Sequence, residues 1–313
     1  MTSRLRRAFR FGVQLGATAT GGTWADQARR AEQLGYDVVA VGDRLTGAGF
    51  AFGPALAAAA AATTRLRIGT LVLVNDYRHP MLVAKEAATL DVLSAGRFEL
   101  GLGAGWMADD FARSGIPFDP PAIRVARFIE GTQAIKRLLA GEPVTVAGQY
   151  YAITAAMTTP APIQRPHPPL LIGAAGHRML AFAAREADIV SLLPRIQPDG
   201  RPRWADLTVA GMAEKIAWLR QAAPERLADI EIHTLIQRVA ITTAWRGEAT
   251  PIAHRWGVDP EAVRSSPVMA LGTIAQIVDN LREQRSRLGL SYFSVRAEQL
   301  EAFAPIAARL VGH

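Results

Sequence analysis

The chain has no cysteine among its 313 residues. That removes disulfides, thiolate metal sites and a cysteine nucleophile together. Lysine is almost as scarce, with Lys85, Lys136 and Lys215 the whole complement. All three fall in segments of helical periodicity, whereas a Schiff-base aldolase needs its lysine at the C-terminal end of a strand. No membrane-length apolar run exists. The longest, Phe50 to Ala62, is mostly alanine, contains Gly53 and Pro54, and is too short for ~30 Å of hydrocarbon. No Gly-x-Ser-x-Gly elbow or phosphate-binding P-loop occurs. His79, His167, His177, His233, His254 and His313 are never two at metal-ligand spacing on one element, so no metal is expected.

The net charge of +7 comes almost wholly from arginine, spread along the chain and on helix faces such as Arg282, Arg285 and Arg287. No basic run interleaved with aromatics appears, so no nucleic-acid partner is expected. The opening MTSRLRRAFRFG is followed by GVQLGATATGG instead of an apolar secretory core. A cytoplasmic location without membrane association is the expectation.

What is present is an alternation. Apolar, β-branched runs lie at 9–15, 36–43, 66–73, 97–103, 169–173, 188–193, 230–242 and 291–297. Between them, helical spacing is found near 24–34, 53–63, 80–93, 122–140, 177–186, 211–222, 273–288 and 298–311. Eight near-continuously apolar strands alternating with helices point to a parallel sheet covered on both faces, a (β/α)8 TIM barrel forming one domain over 1–313. Two insertions depart from the minimal barrel. Residues 141–168 read as a hairpin and then the proline-rich TTPAPIQRPHPP, and the polar 243–272 is a candidate lid over a small organic substrate. The segment WMADDFARSGIPFDPP reads as irregular.

Two glycine-bearing stretches invite a ligand. In GRFELGLGAGW, Gly101, Gly103 and Gly105 stand two apart without the helix and downstream acid that a dinucleotide fingerprint requires. They suit either strand-to-loop turning or a flat ligand lying against bare backbone at a barrel rim. In LLIGAAGHRML, the residues Gly173, Ala174, Ala175 and Gly176 join a short strand to a helix opened by His177. Small residues there would let an anion reach free backbone N–H groups at the helix's positive end.

The stretches RIGTLVLVNDYRHPMLVAKEAATLDVLSAGRFELGLGAGW, GIPFDPPAIRVARFIEG and GTIAQIVDNLREQRSRLGLSYFSV resemble the bacterial luciferase-like monooxygenase superfamily, and within it the branch using the deazaflavin coenzyme F420. The resemblance implies a barrel with a flavin or deazaflavin ring across its C-terminal mouth. It also implies a non-proline cis peptide backing the ring, which falls here at Leu71–Val72. Asn75 would add a polar contact, Gly103, Ala104, Gly105 and Trp106 would flank the ring, and Gly173 to His177 would hold phosphate. Many members end the second strand with Asp-His; here the pair is Asp43 and Arg44. Asp43 carries over as a cofactor contact. Arginine stays protonated and is a poor acid or base, though it can hold an anion.

The expected activity is hydride transfer between coenzyme F420 and a small organic substrate, with an FMN-dependent, oxygen-using monooxygenase as the alternative. A non-catalytic flavin-binding barrel is a third reading, kept open by Arg44. The family commonly dimerises through outer helices, and the alanine-rich 54–64 suits a homodimer.

Overall fold

A computed structural model describes residues 7–16, 22–47 and 49–312. Its strands are β1 (Arg10–Leu15), β2 (Val38–Val41), β3 (Arg67–Thr70), β4 (Leu73–Val74), β5 (Phe98–Gly103), β6 (Val144–Ala147) and β7 (Ala152–Ala156). There follow β8 (Leu170–Ala174), β9 (Ile189–Leu192), β10 (Glu231–Leu235), β11 (Arg238–Ile241), β12 (Met269–Gly272) and β13 (Leu290–Arg296). One sheet runs β3-β2-β1-β13-β10-β9-β8-β5-β4, and β3 also pairs with β5, so the order closes on itself. β3 and β4 are two pieces of one barrel strand, interrupted at Leu71–Val72, whose peptide bond is cis. The fold is the expected (β/α)8 TIM barrel.

Burial explains why the strand runs are continuous in hydropathy. Every residue of β2, β5, β8 and β9 is buried, as a sheet with helices outside and packed side chains inside demands. By contacts the described chain divides into two compact units. One holds the residues up to Gln14, Gln33–Asp37 and Ala174 onward; the other holds Leu15–Glu32 and Val38–Gly173.

In the second unit, the insertion at 141–168 is a β6–β7 antiparallel hairpin followed by irregular chain. Two carboxylates, half-buried Glu130 and buried Asp91, secure both pieces. Glu130 accepts the N–H groups of Gln149, Tyr150 and Tyr151 at 2.8–3.0 Å. Asp91 accepts those of Ile163 (2.7 Å) and Gln164 (2.9 Å). These bonds satisfy backbone donors that prolines and turns leave without ladder partners.

Three expectations need correction. The segment after Trp106 is not wholly irregular, because Ala108–Ser114 forms a helix ended by Gly115 at φ 72°. The seventh apolar run is not one strand: it splits into β10, which stays in the barrel sheet, and β11, which pairs in parallel with β12 outside it. The polar 243–272 is no open loop, since it folds into helices Trp245–Trp256 and Pro260–Arg264 before β12. Asp259 caps the second of these by accepting the Ala262 N–H at 2.8 Å, an N-cap signal overlooked within the polar run.

Candidate functional site

The loops of the second unit begin where β2 ends. Asp43, 9% exposed, accepts the Val74 N–H (2.9 Å) and both ends of the Arg78 guanidinium (2.6 and 3.0 Å). It therefore ties the end of β2 to β4 just beyond the cis bond, while Leu71 N–H reaches Val41 O at 2.8 Å. With both oxygens engaged in this clasp, Asp43 positions backbone; nothing in its bonding marks it as a proton carrier.

Arg44 is also committed. Its Nε and Nη2 donate to the two oxygens of Asp110 at 2.6 and 3.0 Å, and Thr46 Oγ1 donates to Asp110 at 2.6 Å. The bond from Arg44, opposed by burial, holds the Asp110 carboxyl below the usual carboxylate range, with Thr46 and the Leu45 backbone assisting. The loop after β2 is thus locked to the helix Ala108–Ser114. The arginine expected to be able to hold an anion thus has Asp110 as its partner.

The glycines of β5 answer to packing. A Cβ on Gly101 would overlap the Thr70 carbonyl oxygen, one on Gly103 would lie 2.8 Å from Val72 Cγ2, and one on Gly105 2.8 Å from Val74 Cγ1. The close neighbour is the interrupted third barrel strand itself. Gly101→Ala should cost about 2–3 kcal/mol, because the obstacle is backbone and cannot rotate away. A urea midpoint within error of wild type would refute that. Gly105 has φ 75° as well, and its carbonyl accepts from Arg124, which also donates to Asp119 O at 2.9 Å. Trp106, just beyond, is 51% exposed.

Asn75, 5% exposed, has its amide bonded within the fold. Its Nδ2 donates to Tyr151 Oη and Asp76 Oδ1, each at 3.0 Å, and its Oδ1 faces Gly131, so the amide serves the packing of the 144–156 hairpin and the helix Pro121–Leu139.

In register, Leu102 of β5 pairs with Ile172 of β8, so Gly173 and Gly103 come one residue later on neighbouring strands. Gly176 then begins the helix His177–Glu186 with no side-chain cap, and open space lies where its Cβ would be. Uncapped N–H groups and absent side chains make this end competent for an anion. The His177 ring stands edge-on to Trp218, centroids 5.6 Å apart.

Beneath the turn lies a group that the sequence reading missed. Lys215, fully buried, donates to Ala175 O at 2.7 Å and to Asp206 Oδ2 at 3.0 Å. Asp206 also takes Arg195 through N–H (2.8 Å), Nε (2.9 Å) and Nη2 (2.7 Å). Burial resists the Asp206 charge, yet Arg195 and Lys215 bring its pKa down to about 2. Burial pushes the Lys215 ammonium below the usual lysine value despite Asp206, so the ammonium carries the desolvation cost. A signal existed: Lys215 lies in the apolar stripe Met212, Ile216, Leu219 of its helix, where a charge needs a partner.

Two histidines, His233 in the seventh apolar run and His254 in the polar 243–272, are candidates to supply the proton that the family's histidine would; His254 is exposed on its helix and His233 is sealed in the barrel. Among the described residues no group of three or more His, Asp or Glu could hold a metal, and no helix is long and apolar enough to cross a membrane.

Residues 7–228 match the family described as luciferase-like monooxygenase. An F420-dependent glucose-6-phosphate dehydrogenase of Beutenbergia cavernae is 40% identical over 167 residues, covering 50% of this chain and 48% of that protein. A 4-hydroxyprotoasukamycin monooxygenase of Streptomyces nodosus is 41% identical over 126 residues, 39% of this chain and 33% of that one. The chain spans no more than 62% of the length of its mycobacterial relatives. In structure, the coenzyme F420 dependent tetrahydromethanopterin reductase of Methanopyrus kandleri superposes with a TM-score of 0.74 at 19% identity, covering 97% of this chain and 99% of that one. A Streptomyces bottropensis monooxygenase gives 0.74 at 24%, covering 96% and 99%.

Proposed function

Because the chain belongs to the luciferase-like monooxygenase family, we propose that it is an oxidoreductase that binds coenzyme F420 and exchanges a hydride with a small organic substrate. The observation that carries this reading is the uncapped, glycine-opened start of the helix His177–Glu186, braced from below by Lys215. It fits a phosphate of the coenzyme, with Gly173, Ala174, Ala175, Gly176 and His177 as its contacts. Leu71, Val72 and the β5 rim from Gly103 through Ala104 and Gly105 to Trp106 back the ring in this reading. The deazaflavin supplies the hydride chemistry; the chain binds, orients and shields.

Asp43 and Arg44 act as positioning residues here, the first holding Arg78 and Val74, the second holding Asp110. Neither moves a proton in this scheme, so the substrate's proton exchanges with water. Relatives named as F420-dependent dehydrogenases favour F420. FMN with oxygen is the second reading, favoured by the monooxygenases among the relatives. Parallel titration of the purified protein with F420 and FMN, followed by cofactor fluorescence, tests the ranking. Saturable F420 binding is expected; tight FMN binding with no response to F420 would reverse it.

A homodimer forms part of the proposal. On the helices Phe52–Ala62 and Pro80–Leu93, Ala58 and Ala61 face solvent, and Leu82 is 58% and Leu93 61% exposed. Light scattering should give about twice the 33.6 kDa chain mass, and a monomer mass would remove the dimer.

A further inference from the structure

The loops after β2, β4 and β5 expose large apolar side chains: Leu45 is 43% exposed, Phe50 48%, Trp106 51% and Phe118 42%. Phe118 is not a stray surface ring. Its centroid lies 4.9 Å from that of buried Phe111, which in turn lies 5.1 Å from Tyr77. Leu45 is held by the Asp110 clasp. In this fold, the segments following the C-terminal ends of strands carry the chemistry, and apolar groups concentrated there mark a binding surface.

The cations of these loops are all committed among the described residues. Arg44 is paired with Asp110, Arg78 with Asp43 and Arg113 with Asp109. Arg127 bridges Asp76 and Asp119. Arg124 is buried, donates to the carbonyls of Asp119 and Gly105, and covers the Phe118 ring at 4.1 Å. A phosphorylated substrate must find an available guanidinium or ammonium to offset the desolvation of its charge. In these loops each guanidinium is already bonded, to a carboxylate or, for Arg124, to backbone carbonyls.

We propose that this surface selects an uncharged, predominantly apolar substrate and rejects phosphorylated sugars, so the chain differs in substrate class from the glucose-6-phosphate dehydrogenases it resembles. The inference rests on the oxidoreductase reading above. Apolar exposure rewards removal of carbon from water, whereas a phosphate would have to displace an existing partner of a guanidinium, a carboxylate or, at Arg124, a carbonyl.

The test uses the full chain loaded with F420. Nile red, an uncharged apolar dye, should bind saturably with rising emission, and the Leu45→Ser/Phe118→Ser variant should weaken it about tenfold, since both side chains are exposed. Glucose 6-phosphate should not reduce F420 on the wild type. Reduction of F420 by glucose 6-phosphate, or Nile red binding unchanged in the double variant, overturns the proposal. So does a Nile red response lost on dimerisation, because a second copy then covers the patch. If F420 fails to bind while Nile red behaves as expected, the cofactor reading falls and the apolar assignment stands.

Discussion

Replacing Asp206 by alanine is expected to lower the unfolding free energy by about 3–5 kcal/mol, the cost of leaving a buried charge without its partner. The size follows from which groups lose their counter-charge. Lys215 is fully buried, and without Asp206 its remaining acceptor among the described residues is the Ala175 carbonyl. Arg195 is better placed, since its guanidinium is 29% exposed and retains Glu214 at 3.1 Å. The uncompensated ammonium therefore dominates the loss. Lys215→Met alone should cost less, because Asp206 keeps its bonds from Arg195. The Asp206→Ala/Lys215→Met double variant should recover part of the single-variant loss, as no stranded ammonium remains. Urea unfolding of the three variants decides the matter, and an Asp206→Ala loss below about 1 kcal/mol would discard the account. Function should separate from stability within the same set. Lys215→Met releases the Ala175 carbonyl, so its F420 affinity should fall even at temperatures where the variant is fully folded.

The same cluster shows what a sequence discloses and what it hides. The barrel was legible because β2, β5, β8 and β9 are buried along their whole length, so hydropathy alone carried their pattern. The uncapped turn at 173–177 was legible as a feature because glycine and alanine at a strand-to-helix junction have a local meaning. Partnerships across long sequence separations were not. Arg44 finds Asp110 66 positions away, and Lys215 finds Ala175 40 positions away. Local spacing gives no hint of such pairs, and they decide which arginines remain available to a ligand. The glycines of β5 were ambiguous for the same reason: what crowds Gly101 is Thr70, a neighbour created only by the sheet. The division of 230–242 into β10 and β11 was hidden too, because a strand leaving the barrel keeps its apolar alternation.

His233 should give the chain a stability that falls with acid in a way one substitution can isolate. The imidazole is fully buried, with Nδ1 2.8 Å from Ser191 Oγ and Nε2 2.9 Å from Ser294 Oγ. A neutral ring satisfies both hydroxyls, one nitrogen donating and the other accepting. Burial, reinforced by the Arg10 charge, pushes its pKa down to about 3. Arg10 itself is paired with Glu231 and lies 4.5 Å above the Tyr292 ring. The folded pKa is below the unfolded value near 6.5, so the unfolded chain binds the proton first as pH falls. The contribution of His233 is therefore fully present above about pH 6.5 and drains away at about 1.4 kcal/mol per pH unit as pH falls toward 3. His233→Gln keeps a neutral donor and acceptor and should cost about 1–2 kcal/mol at pH 8 through imperfect bonds. That gap should reach zero between about pH 6 and pH 5 and be reversed by about pH 4.5, where about two units of drain exceed it. Unfolding free energies of both proteins from pH 8 to pH 4 give the comparison, in which shared carboxylate titrations cancel. A gap that stays constant across the range would mean that the ring protonates in place. It would also return His233 to the list of candidate proton donors, from which a ring neutral down to about pH 3, with both nitrogens engaged, is otherwise excluded.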